Sequence, residues 1–359
     1  MKKLFGFITF FVALFIISGC SSQEKLYVLN WAQYINEDLI EKFEEDNNVE
    51  VILDDTADSN EIMYTRIKNS TQPYDIVIPS DYMIDRLRQE DLLEKIDYDL
   101  LSNYSESNFD SKVVALMQEI NAKEYSVPYF WGTLGIMYNK TKEGVEEAVE
   151  TNSWDVFFEK EKLPVNSRVG MYLSSRDAIA AAELYLNEDI NSKDLDVLNA
   201  AKDALKNFDY NQWGTDDLKE LVAQKNLDVA LVYSGDFFDV LYNYLDNEME
   251  VTFDMFVPQD KNNVWYDSMV IPKTTKNKEL AHKFIDFFLD FDNALENASE
   301  IGYCPTLSSV YQEMLLDESI EDVVTHPGYY PGEVNGISYQ YLGADIHTKM
   351  DDILTDVRS

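Results

Sequence analysis

Apolar residues along the 359-residue chain recur in two alternating patterns. Short runs with the length of buried strands occur at Leu26-Tyr27-Val28-Leu29-Asn30, Val49 to Leu53 and Tyr74-Asp75-Ile76-Val77-Ile78. Between them, apolar residues three or four apart mark helices: Leu39, Ile40 and Phe43; then Ile62, Met63 and Ile67; then Met83, Ile84 and Leu87. Each helix is preceded by a residue suited to cap it, namely Asn36, Ser59 or Asn60, and Ser80. Glu37 and Asp38 add negative charge where the helix dipole favours it. Three strand–helix units in succession predict a mainly parallel, doubly wound sheet. Open sheets of that kind bind ligands beyond the carboxyl ends of their strands. The segments Trp31 to Tyr34 and Ser80 to Tyr82 are therefore expected to edge one cleft.

Farther along, Tyr125-Ser126-Val127-Pro128-Tyr129-Phe130-Trp131-Gly132 is aromatic, and Pro128 predicts a bend before the strand-like Leu134 to Tyr138. The stretch reads as a passage between two lobes. Beyond it the pattern predicts helices near Ala178 to Leu186 and Leu198 to Phe208, then a buried strand Asp228 to Val232 that ends in Tyr233-Ser234-Gly235-Asp236. Gly235 would allow a close backbone approach or a positive φ there. Val264-Trp265-Tyr266-Asp267-Ser268 runs into Met269-Val270-Ile271 as an extended segment, so Trp265 and Asp267, two apart, share a face. A π surface beside a carboxylate suits an organic cation. Taken alone, the pair reads more plainly as a core tryptophan next to a solvated aspartate. The recurrence of an aromatic and a carboxylate at Tyr233 and Asp236 shifts the balance. Asn277 caps a helix carrying Ala281, Phe284, Ile285 and Phe288, residues 293–300 extend the helical region, and a last helix covers Ala344 to Val357.

Composition narrows the class. With 45% hydrophobic residues the chain can fill two cored lobes and is too apolar for a disordered protein. Lys2 and Lys3, an apolar Leu4 to Ile17 and the small residues before Cys20 read as a signal peptide over 1–19. The ending Ile17-Ser18-Gly19-Cys20 resembles a bacterial lipobox, which implies lipidation of Cys20 and a short tether over 20–25. Twenty-nine basic against 67 acidic residues give a net charge of −38, a field that repels nucleic acid and attracts cations. With Cys20 lipidated, Cys304 has no disulfide partner, and it reads as a packed small residue. His282, His326 and His347 have no metal-ligand spacing, and no nucleotide or nucleophile motif is present, so neither metal nor cofactor is expected. Carboxylates are too numerous for any pair to single out a glycosidase, and an enzyme is the minor reading.

The collinear set Asn30-Trp31-Ala32-Gln33-Tyr34, Ser59 to Tyr64, Ile78-Pro79-Ser80-Asp81-Tyr82, Tyr125 to Gly132, Trp265-Tyr266-Asp267-Ser268 and Ile301-Gly302-Tyr303 resembles the bacterial spermidine/putrescine-binding proteins. These are extracytoplasmic receptors of polyamine ABC transporters. The resemblance spans essentially the whole mature chain. It implies an α/β, two-lobe periplasmic-binding-protein-like fold of type II, with mainly parallel sheets, flanking helices and a ligand cleft closed by hinge motion. Residues 26–132 with about 267–305 would form the first lobe, and about 133–266 with 306–359 the second.

Position by position, the resemblance implies a ligand site made of Trp31, Tyr34, Ser80, Tyr82, Asp177, Tyr233, Asp236, Trp265, Asp267, Tyr303 and Gln340. Tyr233 stands where relatives usually carry Trp, Ala32 replaces a hydroxyl, Gln33 replaces an acid, and Ser174 or Ser175 lies where spermidine-binding relatives carry another Asp. The lost acids imply fewer ammonium groups met, hence putrescine accepted at least as well as spermidine. The implied partners are a polyamine and a membrane permease, with a lipid anchor, no nucleic acid and a monomeric state, outside the cytoplasm. A receptor for another small organic cation, or a sensor or adhesin lipoprotein of the same fold, remains the alternative.

Overall fold

The computed structural model describes residues 23–57, 59–69, 71 and 73–359. The expected signal segment 1–19, the lipidation site Cys20 and the start of the tether lie outside the described residues. Among the described residues, eleven strands form one sheet: β1 (Glu24–Leu29), β2 (Val49–Asp54), β3 (Ile76–Val77), β4 (Ser126–Asn139), β5 (Val169–Tyr172), β6 (Gln212–Gly214), β7 (Val229–Tyr233), β8 (Phe253–Phe256), β9 (Asp260–Val270), β10 (Cys304–Pro305) and β11 (Asn335–Ile337). The order along it is β2-β1-β3-β9-β4-β7-β5-β6, with β8 and β10 on β4 and β11 on β9. Glu24 and Lys25, expected in the tether, are already paired to Val49 and Glu50.

The wings are parallel, as the alternation of strands and helices predicts: β1 pairs with β2 and β3 on one side, and β5 with β6 and β7 on the other. Parallel neighbours need crossovers, and α1 (Glu37–Asn47) between β1 and β2 and α2 (Asn60–Asn69) between β2 and β3 supply them, while α3 (Asp81–Gln89) follows β3. Asn36 caps α1 by accepting from the backbone N–H of Asp38 at 2.8 Å and of Leu39 at 3.3 Å. The helix then buries Leu39 and Phe43 completely. Such burial stabilises by about 1.5–3 kcal/mol per side chain. Ser59 is the residue that caps α2, through Ile62 N–H at 3.3 Å.

Between the wings, β4 and β9 run antiparallel to their sheet neighbours β3 and β7 and to each other. The aromatic stretch at Pro128 is therefore a strand where the sequence predicts a bend. Every residue of β4 is buried, and an apolar run without polar alternation carries no period by which to recognise it. Pro128 has no N–H to give the ladder, and the register against β9 shifts between Pro128 and Trp131. The strand changes partners along its length: Ser126 to Thr133 lies against β9, and Leu134 to Asn139 against β7 and β8. The last helix, Ala344–Val357, falls where the sequence predicts it and packs on the helices Ser175–Tyr185 and Leu195–Lys206.

Candidate ligand site

The extended geometry of β9 puts Trp265 and Asp267 on one face, and both are buried. Trp265 is the middle of a row of rings. Tyr233 meets it edge-on at 5.9 Å and Tyr303 at 6.0 Å; Tyr172 continues the row beyond Tyr233 at 5.3 Å, and Tyr34 beyond Tyr303 at 5.0 Å. Gly132 of β4 lies under the indole, where a Cβ would stand 2.5 Å from Trp265 Cζ2. Gly235 performs the same service for Tyr303, since a Cβ there would come within 1.9 Å of the ring. Close approach, not a positive φ, is thus what Gly235 provides.

Carboxylates stand along this row. Asp267 Oδ2 accepts from the Tyr34 hydroxyl at 2.8 Å, while Oδ1 has no protein hydrogen-bond partner among the described residues. Burial pushes its pKa up to about 6, against the opposing hydroxyls of Ser80 and Tyr34. Ser80 sits at the N-cap position of α3, yet its side chain makes no capping bond. It is tied to Asn60 instead, Oγ accepting from Asn60 Nδ2 and Ser80 N–H donating to Asn60 Oδ1, both at 3.1 Å, and the Ser80 backbone forms an antiparallel bridge with that of Asp267. Asp177, in the first turn of the Ser175–Tyr185 helix, accepts on Oδ1 from the hydroxyls of Tyr233 at 2.6 Å and Tyr339 at 3.0 Å. Asp236, in the first turn of the Ser234–Asp246 helix, accepts from Tyr303 at 3.1 Å, and Lys219 Nζ lies 3.6 Å away. Burial pushes Asp236 up to about 6, and the ammonium of Lys219 works in the opposite direction. The phenols of Tyr34, Tyr233 and Tyr303 are held well above their usual pKa by burial, so all three are protonated donors.

Of the residues the sequence singles out, Tyr34, Ser80, Asp177, Tyr233, Asp236, Trp265, Asp267 and Tyr303 form this connected assembly. Trp31 is half-buried after β1, packed on the core, with Nε1 unpartnered. Tyr82 is buried with its hydroxyl on Glu61 Oε1 at 3.1 Å and its ring 6.3 Å from Tyr339. Gln340 is exposed, and only its backbone N–H is engaged, on Asn191 Oδ1 at 2.9 Å. Its neighbour Tyr339 turns inward in its place. Sequence reasoning also passes over Asp81 and Lys219. Asp81 is fully buried beside Asp267, and burial holds it far above the usual carboxylate range; its Oδ2 has no hydrogen-bond partner among the described residues. Its position after Ser80 was the available signal. Lys219 carries none, because Asp216-Asp217-Leu218-Lys219 reads like any solvated helix face.

Three carboxylates on one ring row can neutralise and desolvate an organic cation, since rings cover its methylenes and oxygens take its N–H groups. Among the described residues no group of three or more His, Cys, Asp or Glu is placed to hold a metal ion, and no helix is long and apolar enough to cross a membrane.

Comparison with known proteins agrees in scale and architecture. Residues 38–327 match the profile of a family described as bacterial extracellular solute-binding protein. A spermidine/putrescine-binding periplasmic protein of Salmonella typhimurium is 29% identical over 310 residues, covering 86% of this chain and 84% of the relative. A putrescine/cadaverine-binding protein of Pseudomonas aeruginosa is 30% identical over 321 residues, 84% of each chain. The solved spermidine/putrescine ABC transporter substrate-binding protein PotD of Streptococcus pneumoniae superposes with a TM-score of 0.74 at 30% identity, covering 94% of this chain and 99% of that one.

Proposed function

The chain belongs to the family of bacterial extracellular solute-binding proteins, and from that premise we propose that it is the receptor that captures putrescine or spermidine for an ABC transporter. The observation that carries the reading is Asp267. It is a carboxylate only 5% exposed, with one oxygen on Tyr34 and the other without a hydrogen-bond partner among the described residues, at the end of an indole–phenol row. Burying such a charge is tolerable when a cation meets it. Asp177 and Asp236 stand at the other rings of the row, so an aliphatic chain with ammonium groups at intervals finds both its methylenes and its charges matched. Methylenes gain by contact with rings, and each buried ammonium needs an acceptor.

In this reading residues 26–132 with about 267–305 form one lobe and about 133–266 with 306–359 the other. The change of partner along β4 near Thr133 supports the boundary. The lobes close on the ligand by hinge motion, without covalent chemistry, and hand it to a membrane permease. The receptor acts as a monomer, held on the outer face of the cell membrane by lipid on Cys20, and its excess of acidic over basic residues keeps it from nucleic acid.

Titration calorimetry with putrescine and spermidine, joined to small-angle scattering, tests the proposal. Saturable binding of a polyamine with compaction on binding is expected, and the polyamine should be recovered unmodified. Absence of binding to either, or binding of a quaternary amine that survives Asp267→Asn, would replace the polyamine by another organic cation.

A further inference from the structure

Lys219 belongs to none of the motifs that mark the site. It projects from the short helix Asp217–Ala223 with its side chain only 14% exposed. Its Nζ lies 2.7 Å from Asp239 Oδ2 and 3.6 Å from Asp236 Oδ1. Asp236 Oδ1 is the same atom that accepts from Tyr303. The three carboxylates on the ring row are therefore not equivalent. Among the described residues, Asp267 and Asp177 accept side-chain hydrogen bonds only from hydroxyls, that of Tyr34 in one case and those of Tyr233 and Tyr339 in the other. Asp236 already faces a protein ammonium.

We propose that Lys219 sets the ligand preference of the polyamine site: its ammonium stands at Asp236 in the place of a third ligand ammonium, leaving Asp267 and Asp177 for the two ends of a diamine. The inference rests on the polyamine reading above and adds the choice among polyamines. A triamine lying along the row between Asp267 and Asp177 brings a further cation past Asp236 and toward Nζ in a buried setting, where like charges repel far more strongly than in water. Lys219 is fixed there from the solvent side by Asp239, whose side chain is 43% exposed. The surrounding Asp236, Asp239 and Asp216 keep it charged.

Calorimetry on the wild type, Lys219→Met, Lys219→Arg and Asp239→Asn, each with putrescine and spermidine, tests it, with thermal melts to confirm folding. Lys219→Met should raise spermidine affinity relative to putrescine by on the order of tenfold, because Asp236 is released to a ligand ammonium. Lys219→Arg, which keeps the charge, should hold the wild-type ratio. Asp239→Asn, at a half-exposed residue, leaves the ammonium to Asp236 and should move the ratio further toward putrescine. If the wild type binds polyamines and a folded Lys219→Met shows the same ratio, this inference falls while the polyamine reading stands. If Lys219→Met does not fold, an unchanged ratio in Asp239→Asn is equally fatal. A wild type that takes up neither polyamine removes both.

Discussion

Replacing Asp267 by asparagine should make the ligand-free protein more stable and the receptor worse. The side chain is 5% exposed, and burial raises its pKa from 3.8 to about 6. At 1.36 kcal/mol per pKa unit, ionising it inside the fold costs about 3 kcal/mol more than ionising it in the unfolded chain. Because the folded pKa lies above the unfolded one, that cost is absent below about pH 4. It grows as pH rises and is complete once pH passes through about 6. Asp267→Asn keeps an acceptor for the Tyr34 hydroxyl, now at 2.8 Å, and removes the charge. The variant and the wild type should thus unfold at similar urea concentrations at pH 4, and a gap of up to about 3 kcal/mol in the variant's favour should open by pH 7. Binding moves the other way. Loss of a buried counter-charge costs about 2–5 kcal/mol, roughly 30-fold to several thousand-fold in Kd. Urea unfolding of ligand-free protein from pH 4 to 7, with putrescine calorimetry at pH 7, measures both. A stability gap that does not change with pH, together with undiminished affinity, would refute the assignment of Asp267 as a desolvated partner for a cation.

Three further outcomes follow from the same geometry. Burial pushes both Asp267 and Asp236 up to about 6; the ligand needs Asp267 ionised to meet its ammonium and Asp236 ionised to offset the ammonium of Lys219, so affinity should fall about tenfold per carboxylate between pH 7 and pH 5. A flat calorimetric profile would contradict this, and Asp267→Asn should halve the logarithmic slope. Glu183, in the Ser175–Tyr185 helix, is fully buried with both oxygens without a hydrogen-bond partner among the described residues, and burial pushes it up to about 8 against the attraction of Arg176. Stability associated with its neutral form is lost as pH rises from about 4.5 toward 8, so Glu183→Gln should raise the melting temperature by several degrees at pH 8 and by less at pH 5. A gap that narrows with rising pH would count against it. Gly235→Ala forces a Cβ to within 1.9 Å of the Tyr303 ring, so the ring must leave and its bond to Asp236 breaks. A loss of about 1–3 kcal/mol in unfolding and weaker polyamine binding are expected, and an unchanged calorimetric Kd would show that Tyr303 is not a contact.

Much of the framework was legible because its causes are local. The cap at Asn36, the first-turn acids after it and the apolar stripe of Leu39, Ile40 and Phe43 lie within a few residues of one another. A strand's period of two likewise put Trp265 and Asp267 on one face without knowledge of any neighbour. Of the central strand β4, Leu134 to Tyr138 was legible but the part from Ser126 to Thr133 was not, because a strand buried on both faces shows no alternation and Pro128 imitates a bend. Ser80 illustrates the limit of local rules. It occupies a cap position, but its hydroxyl oxygen accepts from Asn60 and its backbone bridges to Asp267, both contacts made only by the tertiary fold.

The amino-acid sequence alone thus determined the alternation of strands and helices, the acidic character and the supply of rings and carboxylates, since each depends on residue type and short-range spacing. Tertiary structure alone decided which phenol meets which acid, as Tyr34 does with Asp267 across 233 positions. It also turned Tyr339 inward and Gln340 outward, and set Lys219 against Asp236. Those pairings are made by packing between elements distant in the chain, and a one-residue change of register would reverse which side chains face the site.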